Sequence, residues 1–249
     1  MLLVSIAFAC YATACLALFA FQRALLYFPQ PKSFGDAAST MHLAVEGAQL
    51  DVTVRPHAGS KALIYFGGNA EDVSANLASF SAAFPDYALY LMHYRGFGGS
   101  TGKPSEQLLH ADAIALFDQV RIAHADVALV GRSLGSGVAI RLATVRAATR
   151  LVLVTPFDSI EDLAARQFPY FPVRFLLTDK FASWRHAPAI RTPTLILQAE
   201  MDDIIPAAST ARLHAAFAPG IASLVVIGGV GHNDISNAPQ YLERMRAAL

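Results

Sequence analysis

Residues 129 to 143 read LVGRSLGSGVAIRLA and set Ser133 between Gly131 and Gly135. A serine hydroxyl is a weak nucleophile until a base takes its proton, so Ser133 needs partners before it has any chemistry. The spacing G-x-S-x-G meets a specific demand. A sharp strand-to-helix turn must expose the hydroxyl, and a Cβ two residues before or after would collide with the neighbouring strand or helix. The apolar run DVALV before the turn and the helix-like run after it supply the two arms. The helix then aims its N-terminal amides at the serine and favours negative charge there. Other uses of a glycine-rich turn fail on spacing. Glycines 131, 135 and 137 do not form G-x-G-x-x-G, and no G-K-[ST] follows, which argues against dinucleotide and P-loop sites. A serine that merely caps a helix is the alternative this motif leaves open. Gly137 lies outside the pattern and is expected to serve close packing of the helix.

A base and an acid are available elsewhere in the chain. Of eight histidines, His232 stands in VIGGVGHNDI, just beyond the last strand-like run, where a loop reaches the edge of a sheet. His93, in MHYRGFGGS, lies at another strand end and reads as structural; the remaining six carry no site reading. The third member must orient the imidazole and stabilise its charged form. Asp202 and Asp203 in LILQAEMDDIIP both follow a strand-like run, and Asp158 follows LVLVTP. Adjacent loop residues cannot both aim at one histidine, so one of the first two is expected to be solvated or capping. A fourth piece is YFGGNAE. Gly67 and Gly68 let the backbone approach a substrate, and the amide of Asn69 can pair with that of Leu134 as an oxyanion hole. The alternative there is an ordinary glycine turn with Asn69 near a helix cap.

The elements that must position these residues alternate along the chain. HLAVE and LDVTVRP read as a hairpin. ALIYFGG, YALYLMHY, DVALVG, RLVLVTP, PTLILQA and SLVVIGG are short, nearly continuous apolar runs, the pattern of strands buried on both faces of a mostly parallel sheet. Helices are expected from Glu71 to about Phe84 and from near Ser105. In the second, Leu109, Ala113, Leu116, Phe117 and Val120 form an apolar stripe, with Asp112 and Asp118 off it. An open α/β sheet with right-handed crossovers places ligands at the carboxyl ends of its strands, where all four pieces lie.

Composition bounds the rest. A chain of 249 residues accommodates one large α/β domain. With a formal net charge of +0 it has no basic field for nucleic acid, and its two cysteines, Cys10 and Cys15, exclude a disulfide framework or a cysteine zinc site in the globular part. From Met1 to Phe21 there is no charged side chain, and such a helix spans about 31 Å, close to the thickness of a bilayer's hydrocarbon. With no basic n-region and its small-x-small triplets too early, this segment is expected to be an uncleaved membrane anchor rather than a signal peptide. Arg23 and Lys32 follow it and no Lys or Arg precedes it, which favours a cytoplasmic catalytic domain. The expected organisation is an anchor over 1–22, a linker over 23–40 whose Tyr27 and Phe28 suit the membrane interface, and a globular domain over 41–249. The oligomeric state is left open.

Together YFGGNAE, YRGFGGS, GRSLGSGVA, TPFDSIEDLA, DKFASWRHAPAI, TPTLILQAEMDDIIP and GGVGHNDI resemble the membrane-anchored, single-span α/β-hydrolases with a serine aminopeptidase-like domain, the group that includes depalmitoylase-type hydrolases. The likeness covers about Leu63 to Ile235, nearly the whole domain. It implies an α/β-hydrolase fold, a mostly parallel sheet with helices on both faces and a short cap, and the triad order Ser133, Asp202, His232. The family's D-x-x-V-P spacing matches Asp202 to Pro206 and so selects Asp202 over Asp203. It implies a serine hydrolase of esters, thioesters or amides, carboxylesterase-like before peptidase or acyl-protein thioesterase, acting on a small-molecule or lipid-like acyl substrate without metal or organic cofactor. A non-catalytic hydrolase-fold binding protein at the membrane is the reading from another class. Two departures stand out: Gly67 replaces the histidine usual in the oxyanion turn, and Ala199 replaces the glycine that opens the acid loop. ARQFPYFPVRFLLTDKF, where this fold carries its lid, reads as a small apolar cap over an acyl or other hydrophobic pocket.

Overall fold

The computed structural model describes residues 1–249, apart from the side chain of Ala37. Eight strands form one sheet: β1 (Thr40–Val45), β2 (Ala48–Arg55), β3 (Lys61–Phe66), β4 (Ala88–Met92), β5 (Asp126–Arg132), β6 (Arg150–Val154), β7 (Thr194–Ala199) and β8 (Ala222–Ile227). Their order is β1-β2-β4-β3-β5-β6-β7-β8. Only the pairings of β2 with β1 and β4 are antiparallel. The expected hairpin is present, with Val45 opposite Ala48 and Gly47 at φ +69° in the turn between.

The helices are α1 (Leu2–Leu26), α2 (Leu77–Ala83), α3 (Glu106–Ala123), α4 (Leu134–Ala143), α5 (Ile160–Gln167), α6 (Val173–Leu176), α7 (Ser183–His186), α8 (Ala207–Ala216) and α9 (Pro239–Ala248). Strand alternation explains why the strand sequences are apolar throughout. Ile64 and Phe66 of β3 pack with Leu116 and Val138 on one face, while Leu63 and Tyr65 pack with Phe80 and Met245 on the other. With helices over both faces, neither set of side chains meets water.

Three local expectations are corrected. The helix after FGGNAE starts at Leu77, not Glu71, because a 3-10 turn over Val73–Asn76 comes first. Asp72 caps that turn through the Ser74 amide at 3.0 Å, and Glu71 folds back toward the glycines instead of entering a helix. Asp112, off the apolar stripe of α3, is only 1% exposed. It takes the Arg95 guanidinium at two distances of 2.7 Å, and Arg95 also donates to the Glu46 carbonyl, tying the hairpin turn to α3. Finally, Tyr27 does not face outward from a free linker. It is buried, donating to Asp179 at 3.0 Å, while Phe28 is half-exposed. The following linker residues are fastened to the domain, with Ser33 N on Asp72 and the Gln30 carbonyl accepting from Gly98 N. α1 itself runs through Leu26, beyond the expected end at residue 22, so the two lengths of apolar and helical chain differ. Among the described residues it is the one helix long and apolar enough to cross a membrane.

Candidate active site

Ser133 stands between β5 and α4 with φ +48° and ψ −115°, a conformation that costs a non-glycine residue about 1–3 kcal/mol. The surroundings enforce it. A Cβ on Gly131 would lie 2.4 Å from the Gly135 carbonyl oxygen, and one on Gly135 would lie 2.0 Å from that of Phe66. Both glycines are therefore required by contact with backbone, which cannot yield as a side chain can. The Ser133 amide donates to Val154 O at 2.9 Å, which pins the turn to the end of β6. Gly137 meets a different need, since a Cβ there would approach Phe181 and Phe157.

His232 Nε2 lies 3.0 Å from Ser133 Oγ, and His232 Nδ1 lies 2.9 Å from Asp202 Oδ2. A carboxylate only accepts, so Nδ1 carries the proton toward Asp202 and Nε2 is left to accept from the serine hydroxyl. His232 is 5% exposed and the Asp202 side chain 3%. Asp202 Oδ1 also accepts the amides of Ile204 at 3.0 Å and Ile205 at 2.7 Å, which hold the carboxylate in place. Asp203 next to it is exposed. Asp158 is buried but engaged by Ser209 and Arg212. His93 is also buried, sharing Nε2 with the Thr53 hydroxyl at 2.9 Å, and burial lowers its pKa to about 4. Of the candidates, the structure brings together Ser133, Asp202 and His232.

The turn Gly67–Ala70 faces the serine from the end of β3. A Cβ on Gly68 would stand 3.6 Å from that of Ser133, and one on Gly67 would meet Val73 at 2.3 Å. Among the described residues, neither the Asn69 nor the Leu134 amide is taken by another group of the chain. The side chain of Asn69 points away from the serine. Its Nδ2 donates to the Leu26 carbonyl at 2.6 Å and its Oδ1 accepts from Phe28 N at 3.0 Å, so it caps the C-terminal end of α1. The expected cap of Asn69 on the following helix is not made: Asp72 caps that turn, and Asn69 closes the end of α1 instead.

Sequence reasoning missed the residues that support this turn. Glu71 accepts from Gly68 N at 2.5 Å through one oxygen, and from Tyr65 and Asn76, each at 2.7 Å, through the other. Burial, then the Glu71 charge, pushes the Tyr65 phenol far above its usual pKa and keeps it a donor. Arg132 lies 3.6 Å from Glu71 and donates to the carbonyls of His232 and Asn233 at 3.3 and 3.2 Å. Glu71 therefore supports the glycine turn from within the chain, and Arg132 links that turn to the histidine loop. The one signal in the sequence was a glutamate three residues after a glycine in a turn. The site opens as a polar pocket of about 120 Å³ lined by Gly68, Asn69, Glu71, Arg132, Ser133 and His232.

The sheet, its crossovers and a strained serine between strand and helix define the α/β-hydrolase fold. Solved structures share it. The Pyrococcus furiosus esterase Pf2001 superposes with a TM-score of 0.70 over 89% of this chain and 98% of its own, at 17% identity. Est1E of Butyrivibrio proteoclasticus, in a ferulic acid complex, does so with a TM-score of 0.68 over 84% and 95%, at 15% identity. No model of a known protein family matches the chain. Among sequence relatives, the uncharacterized protein Rv2307c of Mycobacterium tuberculosis is 38% identical over 229 residues, which cover 86% of this chain and 81% of that one. The chain belongs to the same family as that protein, within the α/β-hydrolases. It is also 30% identical over 194 residues to the α/β hydrolase domain-containing protein aho-3 of Caenorhabditis elegans, and 35% over 154 residues to lysophosphatidylserine lipase ABHD12 of Macaca fascicularis. These matches cover 75% and 53% of this chain, but 57% and 38% of those proteins.

Proposed function

We propose that the protein is a membrane-anchored serine hydrolase of carboxylic esters with a lipid-like acyl group. The observation that carries this reading is the 3.0 Å contact between Ser133 Oγ and His232 Nε2, backed by buried Asp202. Ser133 Oγ attacks the ester carbonyl carbon while His232 takes the hydroxyl proton, and the amides of Asn69 and Leu134 bind the oxyanion. Collapse of the tetrahedral species breaks the bond to the leaving alcohol, which receives the proton from His232. Water, deprotonated by the same imidazole, then attacks the acyl-serine and releases the carboxylic acid and free Ser133. Asp202 holds the imidazole in the required tautomer throughout. The reaction uses only groups of this chain and water.

The relative named as a lysophosphatidylserine lipase and the neighbours named as esterases support an ester in place of an amide. α1, twenty-five residues long and apolar, supports attachment to a bilayer, with the hydrolase domain on the cytoplasmic side of the flanking Arg23. A fluorophosphonate probe and turnover of p-nitrophenyl esters test the reading on the full chain. Wild type is expected to label and to turn over. Ser133→Ala is expected to lose labelling, with turnover reduced about a thousandfold or more. Equal labelling of both proteins would overturn the assignment of the nucleophile, and an unlabelled, inactive wild type would favour a non-catalytic binding protein.

A further inference from the structure

A second cavity, of about 110 Å³, lies between α1 and the cap formed by α5, α6 and the loop joining them. Leu18, Leu25 and Leu26 of α1 form one wall, and Ile160, Phe171 and Leu176 stand in the wall opposite. Gln22 is the one polar side chain in the lining, and its carboxamide is already spent. Its oxygen accepts from Thr178 N at 2.7 Å and its nitrogen donates to Leu176 O at 3.2 Å. The cavity is therefore lined mainly by hydrocarbon, and an apolar space of this kind takes apolar ligands in preference to water.

Its two ends point to different surroundings. At one end, Leu26 lines the cavity while its carbonyl accepts from Asn69, whose residue also lines the pocket of Ser133. At the other end, the cap climbs along α1. Tyr11 stacks on Phe171 with ring centres 5.7 Å apart and donates to Tyr170 O at 2.9 Å. Tyr11 precedes Leu26 by fifteen residues, about 22 Å of helix, so the cap reaches well up the uncharged part of α1. There the rings of Tyr170 and Phe175 are 86% and 89% exposed. Large apolar surface beside a lipid-spanning helix suits a bilayer, and the Tyr11 hydroxyl has its partner within the protein, as a polar group in hydrocarbon requires. The charged ties, Arg23 to Asp179 at 3.1 Å and Tyr27 to the same carboxylate, gather at the end of α1 nearest Ser133.

We propose that this cavity binds the acyl chain of a lipid drawn from the leaflet in which α1 and the cap are embedded, and leads it to Ser133 past Asn69. The binding step stands by itself; only the fate of the carbonyl rests on the hydrolase reading above.

The test uses the full chain in phosphatidylcholine vesicles with a phospholipid carrying a diazirine on one acyl chain. After irradiation, adducts are mapped by mass spectrometry in wild type and in Ser133→Ala. Adducts on Leu25, Phe171 and Leu176 are expected in both. Ala164→Trp, which fills the cavity from the cap, should cut them roughly tenfold while adducts on the outer face of α1, at Leu2 and Leu16, persist. Leu25→Trp fills the same space from the other wall and should act alike, which guards against misfolding of either variant. Adducts confined to the outer face of α1, or indifferent to both tryptophans, would overturn the proposal. The ratio of decanoyl to acetyl ester turnover separates the two readings. Cavity adducts with no turnover of any ester would sink the hydrolase reading and leave the lipid site standing. Turnover with a chain-length ratio unmoved by either tryptophan would sink the lipid site and leave the hydrolase.

Discussion

Two cavities of the molecule are built on opposite principles. Around Ser133, the carboxyl ends of β3, β5 and β7 and the loop after β8 bring polar groups to fixed distances, with two glycines that admit no side chain and a serine held at positive φ. Between α1 and the cap, apolar side chains line an open cavity, and a few polar contacts spaced along α1, from Tyr11 to Tyr27, hold the two together. The first depends on direction and the second on area. Hydrogen bonds weaken steeply with angle and distance, whereas burial of apolar surface is nearly indifferent to which side chain supplies it. Changes on the serine side should therefore act on rate, and changes on the cap side on substrate choice and stability.

The largest effect expected in testing that division is at the acid. Asp202→Asn should lower kcat on the order of ten-thousandfold, because the amide cannot hold His232 in the same tautomer, while Asp203→Asn stays within about twofold. Steady-state kinetics on the two variants side by side decide it, and the reverse order would move the acid to Asp203. Next comes Glu71→Gln, a positioning change behind the oxyanion turn. Loss of the charge beside Gly68 N and Arg132 should cost about ten- to a hundredfold in kcat with KM little changed. A rise in KM alone would mean that Glu71 shapes the pocket and not the turn.

On the cap side, Asp179→Asn removes the charge that faces Arg23 and one of the two oxygens that accept from Arg23 and Tyr27. It should cost about 1–3 kcal/mol of stability in detergent, read by thermal unfolding, with turnover of short esters far less affected than by Glu71→Gln. The smallest effect spans both sides. Burial lowers the pKa of His93, just past the carboxyl end of β4, and of His110, against Phe181, from 6.5 to about 4. Arg141 and His186 add to the shift at His110. Both rings stay neutral in the folded chain while the unfolded chain takes up their protons. Their contribution to stability is therefore complete above pH 6.5 and is lost as pH falls toward 4. From pH 7 to pH 6 the loss should be about 1 kcal/mol or less per ring, measured by denaturant unfolding. A stability that rises over that interval would contradict it.

What was legible in the chain follows the same division. Ser133, Asp202 and His232 could be named because each stands at a strand end in a short signature. The glycines around the serine could be explained because steric exclusion acts within a few residues. Glu71, Arg132 and Tyr65 could not, since their value lies in a carboxylate that accepts from a backbone amide, a phenol and a carboxamide arriving from separate elements. Asp112 was misplaced for a similar reason. The periodicity of α3 set it off the apolar stripe, and nothing local announced that Arg95 would arrive to share its burial. The attachment of the linker to the domain was not legible, because it runs through backbone groups that any sequence carries.

Strand and helix alternation, the apolar first helix, and Ser133 and His232 as candidates for nucleophile and base are properties of residue type and spacing that can be read before any folding is known, while the choice of Asp202 over Asp203 came from a family resemblance. The support beneath the oxyanion turn, the carboxamide of Asn69 closing the end of α1, and the cavity between that helix and the cap belong to the folded chain. They pair groups separated by anywhere from three residues to more than a hundred, so their energies appear only when crossovers and packing bring distant segments into contact. Residue type sets which chemistry is available to Ser133. Long-range packing sets how well it is aimed, and which acyl group is brought to it.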